Sequence, residues 1–493
     1  VKLPDLKQTQ RPPSRAQMDA LDNWIVIVRD GRRDWPEFPY AETLHARYAR
    51  LKGRGDDAPQ LTTDLANPRA SHVALACVKP DAAAYDLLTR ARKLVAAHRE
   101  LKPQALGIVI AGFTTRQAER VAEALVAAAL AAGAEMPDYR SKREERAALA
   151  SIQLYGAAPQ HRFQRSFAEA EGNALARYLT ALPPNDLTPA LYRRRVADLA
   201  RQHGWRSEFY GVGQLEQRKA GAFLAVTQAS PERDAGIMRL RYRPPGRPSG
   251  RKLALVGKGI CFDTGGVNVK SAKYMHGMHE DMEGSAVALG TLLALTRLQV
   301  KFPIECWLAL ATNHIGPRAY KPNDVVTALN GTTIEVVHSD AEGRMVLADT
   351  LVMASRARPD LIIDYATLTG ACVYAIGKGY SGVFSNRQAW LPRLVETGAA
   401  SGERVWPFPL DADYDEALES HIADVKQCSE DGGADHILAA RFLSRFIEGE
   451  LPWIHVDLSS GNRKGGLAHI PTDVTGFGVR FTLNLLLDQK LPS

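Results

Sequence analysis

The chain has 493 residues, 45% of them hydrophobic and 24% charged, with a formal net charge of +7. That length is too great for one compact domain, and the apolar content can fill two cores, which excludes a disordered or fibrous chain. No apolar run reaches the roughly 18 residues of a membrane helix, and five scattered cysteines without CxxC spacing exclude a disulfide scaffold or a zinc ribbon.

In chain order, the first twenty residues, with Pro4, Pro12 and Pro13, read as an irregular arm without the apolar region of a signal peptide. A cytoplasmic location without membrane contact is expected. NWIVIV, SHVALACV and ALGIVIAGF read as strands; DAAAYDLLTRARKLVAAHRELK and TTRQAERVAEALVAAALAAG read as helices, with Asp81 and Thr114 as starting caps. Strands alternating with helices imply an α/β sandwich. His98 and Lys102 read as helix surface. Residues 1–170 carry 26 basic against 20 acidic residues. Acids interleave with the bases, so a solvated surface is expected, with nucleic acid as a weak alternative partner.

A second alternation starts near residue 165. FAEAEGNALARYLTAL reads as a long helix at the domain boundary, and TPALYRRRVADLARQHG as a helix with Thr188 as cap, Pro189 in the first turn and Gly204 as stop. RYRPPGRPSGRK is a loop feeding the buried strand that starts at Leu253 and delivers Lys258, Asp263 and, beyond it, Lys270. EDMEGSAVALGTLLALTRL reads as a helix opened by Asp281. In HSDAEGRMVLADT, Asp340, Glu342 and Arg344 occupy every second position. An extended segment would put all three on one side, with a helix starting at Met345. LIIDYATLTG and WIHVDLSSG read as strands, ADHILAARFLSRFI and GFGVRFTLNLLL as helices, and His436 and His455 as packed rather than ligating.

Held close, Asp263, Asp281, Asp340 and Glu342 would repel one another unless cations intervened. These are hard oxygen donors, with Lys258 as a nitrogen donor if its amine is neutral, against a usual pKa of about 10.4. The set suits Mn²⁺ or Mg²⁺ and permits Zn²⁺. Two such ions could activate water and clamp a developing oxyanion. The planar fork of Arg344 suits an oxyanion. GKGICFDTGG lacks the spacing of a dinucleotide or phosphate loop, which argues against nucleotide binding.

VGKGICFDTGG, EDMEGSA, HSDAEGRM and DYATLTGA, with LPPNDLTP upstream, closely resemble the successive signatures of the leucyl aminopeptidase (cytosol aminopeptidase) family, in family order from about Asn173 onward. The resemblance implies a two-metal aminopeptidase acting on peptides. Lys258, Asp263, Asp281 and Glu342 would hold the tighter metal, and Asp263, Asp340 and Glu342 the exchangeable one. Lys270 would polarise the substrate, Arg344 would hold a bicarbonate ion acting as general base, and Met278, Thr367 and Gly370 would line the pocket for a leucine-like first side chain. The metals would be Mn²⁺ or Zn²⁺, and the assembly a homohexamer.

The expected fold is α/β with two domains. A smaller N-terminal α/β sandwich over 1–165 would serve assembly or regulation. A larger C-terminal α/β catalytic domain over 166–493 would carry a central mixed sheet. Some positions depart from the family's usual residues: Glu283, Pro317, His338 and Ser339, and no proline follows Lys270 in VNVKS. Two rival functions remain: a metal-dependent hydrolase acting on something other than peptides, such as a phosphoester, and a fold-retaining DNA-binding or regulatory protein with weak or altered hydrolase activity.

Overall fold

The structure is a computed structural model that describes residues 4–31, 35–51, 59–142, 149–158, 163–248 and 251–489. The chain divides into two compact units, Val1–Ala170 with Gly465–Asp473, and Glu171–Lys464 with Val474–Ser493. The division falls inside the helix Gln164–Thr180.

In the first unit, six strands run in the order Asp5–Thr9, Ser151–Tyr155, Ala105–Ala111, Asn23–Arg29, His72–Val78 and Gln60–Asp64. All neighbours are parallel except the last pair. Alternation along Asn23–Arg29 sends Ile25 and Ile27 to one core with Leu87, Leu88, Val121 and Leu125 of the helices Ala84–Ala96 and Thr115–Ala132. Trp24, Val26 and Val28 go to the other core, with Met18, Leu44 and Tyr48. Both faces of the sheet are covered, which is why these strands are almost continuously apolar.

Three expectations are corrected here. The opening arm is structured: Asp5–Thr9 is an edge strand paired with Ser151–Tyr155, and Arg15–Asp19 is a helix whose Ser14 and Gln17 cap each other reciprocally. Asp81 caps nothing, because the helix starts at Ala84 after Ala83. His98 is buried rather than on a surface, its Nδ1 3.2 Å from Oδ1 of Asn23 and its ring edge-on to His72. Thr114 does cap its helix, and its N–H donates to Gln117.

The second unit holds a mixed eight-stranded sheet, ordered Val405–Pro407, Ser381–Ser385, Trp453–Asp457, Leu361–Ala366, Leu253–Asp263, Ile304–Asn313, Gly236–Tyr242 and Arg206–Gly211. The four strands from Trp453–Asp457 to Ile304–Asn313 are parallel, and antiparallel pairs flank them. Thr188 caps Pro189–His203, and Gly204, at φ 69, ends it as expected. The loop before Leu253 includes residues 249–250, which lie outside the described residues.

The central strand Leu253–Asp263 has two exits. Helix Glu283–Arg297 leads on to Ile304–Asn313 on one side, and helix Glu342–Arg356 leads from there to Leu361–Ala366 on the other. Odd-numbered Gly257 and Gly259 face Gly284 and Ser285, whereas even-numbered Lys258 faces Gly343, so the two helices lie on opposite faces. Connections parting to opposite faces leave a crevice at the carboxyl ends of the strands, where α/β sheets bind ligands. Helix Glu342–Arg356 is buried from Glu342 to Ser355 without interruption.

His455 and His436 are packed, as expected. His455 Nδ1 lies 2.6 Å from Asp364, and His436 packs edge-on against Phe408. Among the described residues no disulfide forms, and no helix is long and apolar enough to cross a membrane.

Candidate active site

The crevice gathers side chains from four segments. Asp263 ends the central strand, where the register with Ile304–Asn313 shifts between Ala311 and Asn313. Such an irregularity re-aims the side chains beyond it, and here Asp263 meets Asn313. Asn313 Nδ2 donates to Asp263 Oδ1 at 2.8 Å and to the Ser339 carbonyl at 3.0 Å. The N–H of Gly265 donates to the same Asp263 oxygen at 2.9 Å. Gly265 has φ +85, and a Cβ there would meet the Asn268 carbonyl at 2.4 Å, so only glycine permits this turn.

Two lysines knit the acids together. Lys258 Nζ lies 2.8 Å from Asp281 and 2.9 Å from Glu342, and it donates to the Thr367 carbonyl at 2.9 Å. Lys270 Nζ lies 2.8 Å from Asp263 and 2.5 Å from Asp340. Thr367 closes the ring through its hydroxyl, which donates to Asp281 at 2.8 Å. Asp263, Asp340 and Glu342 each offer an oxygen, all within 4.8 Å of one another.

Electrostatics follow from that crowding. Burial, followed by the charge of neighbouring carboxylates, pushes Asp340 up to about 7 and Glu342 up to about 8. Asp281 is raised to about 6, by burial first, with Lys258 opposing and Asp263 reinforcing. Burial disfavours the charge of Lys258, yet Asp281, Glu342 and Asp263 outweigh it and hold the ammonium protonated. Glu283, a departure from the family pattern, is also buried, and its carboxyl is raised to about 8 by burial and then by Glu280.

The residues fit a divalent cation. Oδ2 of Asp281 and Oε2 of Glu342 are buried without a hydrogen-bond partner, although buried oxygens normally find one. The set is hard-oxygen in character and lacks thiolate or imidazole. Lys258 would join it only on losing its proton, as ligation requires.

Most of the expected residues converge. Lys258, Asp263, Lys270, Asp281, Asp340, Glu342 and Thr367 form one connected network. Met278 is half-buried in the turn Met278–Glu280, and Gly370 is exposed at the start of helix Gly370–Ile376, in the segments that adjoin Asp281 and Thr367.

Arg344 stands apart from the network. It is buried, with Nη2 2.7 Å from Asp435 and Nη1 donating to the Gln427 carbonyl at 3.1 Å. The alternating, extended reading of Asp340, Glu342 and Arg344 is wrong. The helix starts at Glu342 rather than Met345, and the turn at Ala341, φ −108 and ψ 39, swings Glu342 back toward Asp340.

Sequence reading missed Asn313, Tyr320, Gln427 and Asp435. Tyr320 donates to the Ser339 carbonyl at 2.6 Å, and Ser339 donates to the Gly265 carbonyl at 2.6 Å, tying the two acidic turns together. No periodicity marks such residues. A buried Asn at the end of an apolar strand, as in LALATN, is the one local signal available.

The sequence profile described as "Cytosol aminopeptidase family, catalytic domain" matches residues 174–483. A probable cytosol aminopeptidase of Synechococcus sp. (strain WH7803) is 38% identical over 359 residues, 71% of this chain and 72% of the relative. Among solved structures, a tomato leucine aminopeptidase mutant superposes with a TM-score of 0.83 at 25% identity, covering 99% of this chain and 97% of its own. The bottromycin maturation enzyme BotP in complex with Mn gives 0.81 at 29% identity, covering 95% and 99%. These likenesses bear out the two-domain α/β fold and the peptidase reading, and they do not favour the DNA-binding alternative. The chain belongs to the cytosol aminopeptidase family and is a metal-dependent aminopeptidase.

Proposed function

We propose that Lys258, Asp263, Asp281, Asp340 and Glu342 hold two divalent cations, manganese or zinc, and that Lys270 and Arg344 serve the hydrolysis of the first peptide bond. The observation that carries this reading is the meeting of Asp263, Asp340 and Glu342 oxygens within 4.8 Å, next to partnerless oxygens of Asp281 and Glu342. When bound, such cations polarise a carbonyl and lower the pKa of water toward neutrality.

The chain's own groups supply the rest. Asn313 and the Gly265 N–H fix Asp263, so that one of the two shared ligands is oriented before any cation arrives. Lys258 is sealed, whereas the Lys270 side chain keeps 15% exposure and can reach a substrate oxyanion from the rim. An acidic cluster favours the free α-amino end of a peptide, which accounts for removal of terminal residues. Met278, Thr367 and Gly370 line the pocket for a leucine-like side chain, since glycine leaves room and methionine adapts.

The finer features implied by the resemblance belong to the same proposal: a homohexamer, a cytoplasmic location, and an assembly or regulatory role for residues 1–165 ahead of a catalytic domain over 166–493. Buried Cys261, Cys306 and Cys372 suit a reducing compartment. A bicarbonate ion at Arg344 would have to share that guanidinium with Asp435.

The test is release of N-terminal amino acids by metal-stripped protein reloaded singly with Zn²⁺, Mn²⁺, Co²⁺ or Mg²⁺. Asp263→Ala and Glu342→Ala are expected to lose bound metal and turnover together. Full rate in either variant would overturn the assignment of the shared ligands.

A further inference from the structure

Two short segments run side by side from the acidic network. One leads from Lys270 through the turn Ala272–Met275 to Met278 and Asp281, and the other leads from Thr367 into the helix Gly370–Ile376. They touch at two places. At the inner one the Thr367 hydroxyl donates to the Asp281 carboxylate at 2.8 Å. At the outer one the hydroxyls of Tyr274 and Tyr374 are in hydrogen-bond contact. Met278 falls between these meeting points on the first segment and Gly370 on the second. The two contacts therefore close a frame whose sides carry both residues expected to line the pocket for the first side chain.

The outer corner of that frame is held in place. Tyr374 stands one helical turn beyond Gly370, on the same face. Its Cε2 lies 3.9 Å from the position a Cβ on Gly370 would take, and among the described residues nothing else outside the adjoining backbone comes within 4 Å of that position. The missing side chain thus leaves a space bordered by a phenol ring. Thr369 anchors the base of the helix, its hydroxyl donating to Asp457 at 2.7 Å and accepting the Cys372 N–H at 3.2 Å. On the other side, the N–H groups of Tyr274 and Met275 both donate to the Ser271 carbonyl at 2.9 Å, which ties the turn directly to Lys270.

Both rings are nevertheless bare. Tyr274 is 58% exposed and Tyr374 82%. A tyrosine offers a broad apolar face with few rotatable bonds, so a ring fixed beside a pocket binds apolar groups at small entropic cost.

We propose that Tyr274 and Tyr374 form the outer rim of the first side-chain pocket, and that they select peptides whose N-terminal residue carries a long apolar or aromatic side chain. The inference rests on the two-metal peptidase reading above. Such a side chain passes Gly370 and meets the rings, whereas the single methyl of alanine ends short of them.

The test compares phenylalanyl and alanyl anilides as substrates of the metal-loaded, full-length protein. In Tyr374→Ala and in Tyr274→Ala, the ratio of kcat/KM on the phenylalanyl to that on the alanyl anilide is expected to fall about 3–10-fold, with the metals retained. Tyr374→Phe, which keeps the ring, is expected to hold more of that ratio than Tyr374→Ala. Calorimetric binding of free L-phenylalanine against L-alanine gives a readout independent of turnover, and the affinity ratio is expected to fall in the same proportion.

An unchanged ratio in both alanine variants, or a loss shared equally by the two anilides, overturns the proposal. So does a smaller particle by light scattering with selectivity intact, which would assign the rings to a subunit contact. The two tyrosines sit on separate segments, so either substitution decides the matter where the other fails to fold. Failure of the underlying reading is distinguishable, since it would appear as metal retention and turnover in Asp263→Ala.

Discussion

Gly343 lies directly over Lys258: a Cβ at Gly343 would come within 2.6 Å of Lys258 Cε and 2.8 Å of its Nζ. The lysine cannot step aside, because Asp281, Glu342 and the Thr367 carbonyl hold its ammonium in a sealed position. Gly343→Ala is therefore expected to lower kcat by roughly 10–100-fold, the range for disturbed groups around a metal ligand. Stability should fall as well, since unrelieved overpacking costs about 1–3 kcal/mol and alanine's helix propensity returns at most about 1 kcal/mol. Activity and thermal midpoint, measured on the same preparation, check this; unchanged activity would refute it.

Asn313 serves two acidic turns at once, through Asp263 and through the Ser339 carbonyl. Removing its amide takes one of two donors from each acceptor, since the Gly265 N–H still serves Asp263 and the Tyr320 hydroxyl still serves the Ser339 carbonyl, so each lost hydrogen bond costs about 0.5–1.5 kcal/mol. Asn313→Ala is expected to weaken metal affinity by about 10–100-fold with the ligands themselves intact. Titration of the stripped protein with Mn²⁺ by calorimetry measures it, and native affinity would show that Asp263 needs no such support.

The carboxylate of Asp364 is fully buried between Trp453 Nε1 and His455 Nδ1, each at 2.6 Å. Its charge, with that partnership, holds the His455 imidazole above its usual pKa against burial, which acts the other way. Asp364→Ala would strand a buried imidazole and an indole N–H, and is expected to cost about 1–3 kcal/mol for each. Asp364→Asn, which keeps an acceptor, should cost less. Denaturant melts compare the two; equal losses would show that charge contributes nothing there.

His98 makes the first unit sensitive to acid. Burial, reinforced by the charge of His72, lowers its pKa to about 4 from the usual 6.5. The unfolded chain then binds the proton more readily, so stability is complete above pH 6.5 and drains away as pH falls toward 4. The loss is at most about 3 kcal/mol, at about 1.4 kcal/mol per pH unit. His98→Asn should flatten that part of the stability curve, followed by denaturant melts between pH 4 and 7. An identical slope in the variant would exclude His98 as the cause.

Local pattern carried much of the fold. The cap at Thr188, the stop at Gly204 and the apolar strand ending at Asp263 are short-range features, and each appears where the sequence puts it. The acidic cluster was legible because like charges at the ends of apolar elements need an explanation. What escaped were pairings between distant positions. Asp435 reaches Arg344 across 91 residues and Asn313 reaches Asp263 across 50, and no repeat or spacing announces either. The turn at Ala341 was misread for a related reason. Alternation of polar residues is shared by an extended segment and by a helix entering at an angle, and only packing of Met345 and Leu347 decides between them.

Because the helix beginning at Glu342 has no solvent face as far as Ser355, it has no side that can accept change freely. Amide hydrogens along it should exchange with deuterium only when the whole second unit opens. The segment that presents Glu342 is thus also the one whose release requires dismantling the scaffold, which ties the lifetime of the reaction centre to that of the fold.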